Sequence, residues 1–257
     1  YSTRWLKLEV TTPGFDPHVA QVIHYRPKAS GPRSAVIVSP ILGGSNEVAK
    51  IIAGGLAARG MHALIVLRAQ SYLDSSVGAA NLEVVLRTAV VDRRRAIDWL
   101  CEQDDVDPER LGAIGVSVGG LATTIMGAVE PRIRAAVLVM AGGDLSSLLL
   151  ASDQPRVRRF VRERAEHGVA ADALGANLRA GVPSDPIALA PYVDARRCLA
   201  VLATRDTTVP YANQDLLYQA LGRPERITLP TGHYTSALYL PYLTSACLGY
   251  LEEQLAR

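Results

Sequence analysis

The chain has 257 residues, 49% of them hydrophobic and 20% charged, and 27 basic against 25 acidic side chains leave a net charge of +2. That length suits one large α/β domain or two small ones, with a core that needs no staples. The near-even charge gives no reason to expect nucleic acid or an acidic membrane as a partner, and no apolar run is long enough to form a membrane span.

In chain order, residues 5–12 and 19–26 are β-rich and flank the turn signal Thr12-Pro13-Gly14, which predicts an antiparallel hairpin. Residues 27–32 form a polar connector, and 35–39 are a continuous apolar run of the kind buried on both faces of a parallel sheet. Residues 46–59 have helical spacing, with Ser45 or Asn46 as N-cap and Gly60 as the residue after the C-cap. A second buried strand is predicted over 63–67, and a long amphipathic helix over 82–102. Asp107-Pro108-Glu109-Arg110 reads as a turn before a strand at 111–114, and 121–129 as the helix that follows. Further strands are predicted at 135–140, 199–203 and 226–229, and a closing helix at 239–255.

Alternation of strands and helices predicts a mostly parallel central sheet with helices on both faces. Residues 144–189 break the rhythm: they are helix-like, rich in Arg and Ala, and inserted between two core strands. A small helical insertion there belongs over the carboxyl ends of the strands, as a lid. Residues 1–257 are therefore read as one α/β domain carrying that insertion.

Cys101, Cys198 and Cys247 are widely spaced and odd in number, which favours buried thiols over a disulfide framework. His and Cys never cluster at ligand spacing, so neither a metal nor a cofactor is expected. No signal peptide is visible, and the expected location is the cytoplasm. Because the chain opens at Tyr1 rather than Met, export with removal of a leader is the alternative.

Chemistry concentrates at Gly115-Val116-Ser117-Val118-Gly119-Gly120, a G-x-S-x-G pentapeptide and a further Gly between a strand and a helix. Such an elbow is so tight that the Ser takes a strained backbone and only small neighbours fit. A Ser nucleophile needs a base, a group to orient the base, and donors for an oxyanion. The base candidate is His233, in the loop after the last strand. The acid candidate is Asp206, in the loop after the preceding strand, with Asp144 as the competing acid. The oxyanion donors are assigned to the backbone N–H of Val118 and of Leu42 in the Gly-rich loop 40–45, with Ile41 as the neighbouring alternative.

Together these parts resemble the α/β-hydrolase family over nearly the whole chain. The run from Val106 to Gly120 looks like its dienelactone-hydrolase and prolyl-oligopeptidase-related branch. The resemblance implies an α/β-hydrolase fold and a triad of Ser117, Asp206 and His233. Dienelactone hydrolases carry Cys as nucleophile where this chain has Ser117. Many lipases place His-Gly before the oxyanion residue, where this chain has Pro40-Ile41. Dehalogenases and epoxide hydrolases need Asp at the elbow, which Ser117 opposes.

Ile41, Tyr211 and Tyr234 are assigned to substrate binding, with plain packing as the other reading for the tyrosines. Arg156, Arg158, Arg159, Arg162 and Arg164 read as a charged helix face, or as a rim for anionic substrates. Arg93-Arg94-Arg95 reads as solvated surface. The leading expectation is a serine esterase acting on a small-molecule ester. A thioesterase or small-peptide hydrolase with the same triad is the alternative, and a binding protein that kept only the fold is a third reading. Oligomeric state is not legible.

Overall fold

The computed structural model describes residues 1–41, 46–67, 73 and 79–256. Strand β1 (Ser2–Val10) pairs antiparallel with β2 (His18–Arg26), forming the hairpin that the turn signal predicts. Alternation drives the pairing: Leu6, Leu8 and Val10 are buried on one face while Lys7 and Glu9 face solvent. Strands β3 (Arg33–Ser39), β4 (His62–Val66), β5 (Val106–Val116), β6 (Ile133–Val139), β7 (Cys198–Ala203) and β8 (Glu225–Leu229) complete one eight-stranded sheet.

The sheet order is β1-β2-β4-β3-β5-β6-β7-β8. β2 meets β4 antiparallel, and the pairings from β4 through β8 are parallel. Helices on both faces cover every residue of β4 and β7, which is why those strands read as unbroken apolar runs.

The helices in chain order are α1 (Glu47–Ala58), α2 (Ala79–Cys101), α3 (Val118–Val129), α4 (Leu145–Ala151), α5 (Pro155–Glu166), α6 (Ala171–Gly181), α7 (Pro186–Leu189), α8 (Tyr211–Ala220) and α9 (Leu240–Ala256). Strand alternation sorts them. Ala35 and Ile37 of β3 face a core shared with α2, α3 and the helices α4 to α6, while Val36 and Val38 face one shared with α1 and α9. Cys198 and Cys247 are buried thiols, each pushed up to about 12 by burial.

Two local readings are corrected, and one helix is added. Residues 107–110 are not a turn ahead of the strand but a bulge within β5. Arg33 pairs with Val106 and Ala35 with Leu111, so the four residues 107–110 oppose Ser34 alone. The turn chemistry survives inside the bulge, where Asp107 Oδ1 accepts from the Glu109 N–H at 3.0 Å. Helix α8 is an element that the apolar pattern did not reveal. Arg93, read as solvated, is 3% exposed.

One buried polar cluster sits away from the carboxyl ends of the strands. His24 Nε2 lies 2.9 Å from His62 Nδ1, and His62 Nε2 donates to the Asp105 carbonyl at 3.1 Å. The rings stack 5.2 Å apart, and Trp99 meets His24 edge-on. Burial, and then the neighbouring His62, push His24 from 6.5 down to about 4. His62 is also lowered, by burial, against the pull of Asp105.

Both rings are held neutral in the fold, while the unfolded chain protonates them near 6.5. The stability they support is therefore complete above 6.5 and is lost as pH falls toward 4. For His24 alone that loss is on the order of 3 kcal/mol. Urea unfolding at pH 7, 6, 5 and 4 is expected to show it, with a shallower decline in His24→Gln; identical slopes would exclude the pair as the cause.

Candidate active site

Ser117 joins β5 to α3 with φ 56° and ψ −121°. That region costs a residue with a side chain on the order of 1–3 kcal/mol and persists only where neighbours over-determine it. The neighbours do so here. A Cβ on Gly119 would collide with the Ser39 carbonyl, one on Gly115 with the Gly119 carbonyl, and one on Gly120 would lie 2.6 Å from Ala141 Cβ. The Ser117 N–H donates to the Val139 carbonyl at 2.8 Å, which ties the bend to β6. Ser117 is buried, at the wall of a cavity.

The loops after β7 and β8 bring Asp206 and His233 together. His233 Nδ1 lies 2.7 Å from Asp206 Oδ2. With the proton on Nδ1 directed at that carboxylate, Nε2 is left as an acceptor. Asp206 is 3% exposed, so its charge must be met by donors. They are supplied locally: Oδ1 accepts from the N–H groups of Thr208 and Val209, each at 2.9 Å, and Oδ2 accepts also from Gln214 Nε2 at 2.9 Å. Gln214 Oε1 in turn accepts from the Ala203 N–H at 3.0 Å, so α8 clamps the acid to the end of β7. His233 and Ser117 line the same cavity. Among the described residues no hydrogen bond joins the Ser117 hydroxyl to the ring, and bonds of this kind often tighten only on a bound substrate.

The competing acid, Asp144, is used otherwise. It caps α4, accepting from the Ser147 N–H at 3.3 Å, while its own N–H donates to Asp185 Oδ1 at 3.1 Å. Of the residues expected as oxyanion donors, Val118 lines the cavity in the first turn of α3, where N–H groups lack acceptors within the helix. Leu42 lies outside the described residues, whereas Ile41 lines the cavity. The approach to that loop is held by Arg93. Its Nε donates to Ser39 Oγ at 2.8 Å and its Nη1 to the Ala89 carbonyl at 2.6 Å.

The cavity measures about 270 Å³. Tyr234 lines it and stands edge-on to His233, with centroids 5.5 Å apart. Tyr211 does not line it: it opens α8 and packs against Ala200, Leu202 and Tyr218, so the packing reading holds for that residue. The insertion reaches the site through Leu145, Leu148, Leu149 and Val157.

Asp153, in the same insertion, grips the acid loop. Its N–H donates to the Thr207 carbonyl at 3.0 Å, and its carboxylate accepts from the hydroxyls of Thr207 and Thr208 at 2.5 and 2.9 Å. Two arginines of α5 pair along an exposed face, Arg159 with Glu163 at 3.6 Å and Arg162 with Glu166 at 3.8 Å. Among the described residues, no group of three or more His, Cys, Asp or Glu side chains is placed to hold a metal ion, and no helix is long and apolar enough to cross a membrane.

Gln214, Asp153 and Arg93 are the supporting residues that sequence reasoning missed. The helix carrying Gln214 had a signal, a Pro210 start and Gly222 beyond its end. Nothing local marked Gln214 or Asp153 as partners of the acid loop.

The model of the prolyl oligopeptidase family matches residues 87–229. No curated protein matches the chain. Among solved structures, 2,6-dihydroxy-pseudo-oxynicotine hydrolase superposes with a TM-score of 0.73 at 17% identity, over 98% of this chain and 68% of that one. Acylaminoacyl peptidase of Pyrococcus horikoshii gives 0.72 at 16%, over 98% of this chain and 41% of that one. Acetyl xylan esterase of Paenibacillus sp. R4 gives 0.71 at 19%, over 98% and 88%. At these identities the likeness establishes the α/β-hydrolase fold.

Two substitutions probe the construction through stability. Gly119→Ala drives a methyl into the Ser39 carbonyl and should cost at least about 3 kcal/mol of unfolding free energy, or abolish folding. Gln214→Ala removes one donor from a buried carboxylate and should cost about 1.5–3 kcal/mol. Urea denaturation at pH 7 measures both, and wild-type midpoints would contradict the packing and the hydrogen bond described.

Proposed function

The chain belongs to the prolyl oligopeptidase family, and from that premise we propose that it is a serine hydrolase cleaving carboxylic esters. The observation that carries the proposal is the 2.7 Å bond between His233 and Asp206, on a ring that shares a cavity with the strained Ser117.

In this reading His233 Nε2 takes the Ser117 hydroxyl proton as Oγ attacks the ester carbonyl. The carbonyl oxygen becomes an oxyanion at the N-terminus of α3, where the Val118 N–H donates to it. The second donor is assigned to the loop after β3, Leu42 or Ile41. Collapse of the tetrahedral species expels the alcohol, which takes the proton back from His233. Water, deprotonated by the same nitrogen, then attacks the acyl-enzyme and frees the acid and Ser117. The Asp206 carboxylate fixes the tautomer and stabilises the imidazolium. Through Asp153 the insertion holds the acid loop in register and acts as the roof of the site.

A second reading, hydrolysis of short peptides, is favoured by the family's name and by the acylaminoacyl peptidase among the structural neighbours. The acetyl xylan esterase neighbour supports the ester reading. The same triad serves both, and a panel of p-nitrophenyl esters and aminoacyl anilides separates them.

A fluorophosphonate probe is expected to label the wild-type protein at Ser117, located by peptide mapping. Ser117→Ala should lose the label and at least about a thousandfold of p-nitrophenyl butyrate turnover. Labelling at another residue, or unchanged turnover, would refute the assignment.

A further inference from the structure

Resting on the serine hydrolase reading, we infer that the substrate is an ester that is neutral and apolar on both sides of its scissile bond. Two observations carry this. First, the cavity wall crosses over the carboxyl edge of the sheet. Leu149 and Val157 belong to the core on the α2 and α3 face, while Ile52, Leu243 and Cys247 belong to the core on the α1 and α9 face. Ser117, at the end of β5 between those faces, lines the same space. The cavity therefore extends from the nucleophile in two directions.

Second, no described lining residue carries a formal charge. Gln154, Thr208, Ser236 and Thr244 are the polar side chains besides Ser117, His233 and Tyr234. An ester placed at Ser117 projects its acyl group and its alcohol in different directions from the carbonyl carbon. With both directions walled by aliphatic side chains, each methylene that leaves water on either side stabilises the complex. A phosphate-bearing leaving group or a charged peptide terminus would be desolvated here with no charged partner among the described lining residues.

Size follows from the volume. A cavity of about 270 Å³ lies at the small end of the roughly 300–1,000 Å³ range of ligand pockets, so chain length is limited. That fits a short to medium acyl chain with a small apolar alcohol.

The test uses two length series on the full chain: p-nitrophenyl acetate, butyrate, hexanoate and dodecanoate for the acyl side, and methyl, butyl and hexyl acetate for the alcohol side. In each series kcat/KM should rise up to about fourfold per methylene and then level or fall once the space is filled. Filling one side at a time should separate the two. Of Cys247→Phe and Leu149→Trp, one should lower the hexanoate-to-acetate ratio about tenfold, and the other the hexyl-to-methyl ratio. Val157→Phe replaces Leu149→Trp if that variant does not fold.

Flat profiles in the wild type, loss of the same ratio in both variants, or a higher kcat/KM for acetyl-CoA or alanine p-nitroanilide would overturn the inference. Fluorophosphonate labelling of the wild type, run alongside, keeps the two readings apart. A labelled Ser117 with flat profiles sinks only the two-sided apolar site, whereas an unlabelled chain sinks the hydrolase reading itself.

Discussion

The contact between Gly119 and the Ser39 carbonyl governs the geometry of the whole site. It brings the first turn of α3 against the end of β3, closer than any side chain permits. With β3 and β5 paired in parallel, the chain between β5 and α3 has no room for a relaxed bend, and Ser117 absorbs the difference in its backbone. The strain is local, and the atoms that hold it are spread over three elements. Arg93 reinforces the same point through Ser39, so the carboxyl end of β3 is held by a buried charge-assisted hydrogen bond.

A second constraint is electrostatic. A carboxylate as buried as Asp206 is tolerable only with its acceptor sites filled, and four donors fill them: two backbone N–H groups, the Gln214 amide and the His233 ring. Those bonds orient the carboxylate, and the carboxylate orients the imidazole. The Asp153 clamp couples this loop to the insertion, so the segment that lines part of the cavity also supports the Asp206 loop. A change in the insertion would reach Asp206 and His233 through that clamp.

The sheet contributes the third element, a boundary between two apolar cores. Each strand sends alternate side chains to opposite faces, and the two cores are separate except where the strands end. At the carboxyl ends of β5 and β6 that separation stops, and the cavity occupies the gap. The placement of Ser117 at the crossing is a consequence of parallel topology, which collects strand ends and the loops that follow them on one edge.

Much of this was legible in one dimension. The hairpin, the buried strands, the helical insertion and the elbow follow from periodicity, turn residues and glycine spacing, because each depends on neighbours within a few positions. That Ser117, Asp206 and His233 each follow a strand was readable for the same reason. What the chain order could not contain is which distant groups meet: Gln214 on Asp206, Asp153 on the Thr207 and Thr208 hydroxyls, Arg93 turned inward on Ser39, and Tyr211 turned away from the cavity. Those choices depend on side-chain direction and on packing between elements far apart in sequence, which only the folded sheet brings within hydrogen-bonding distance.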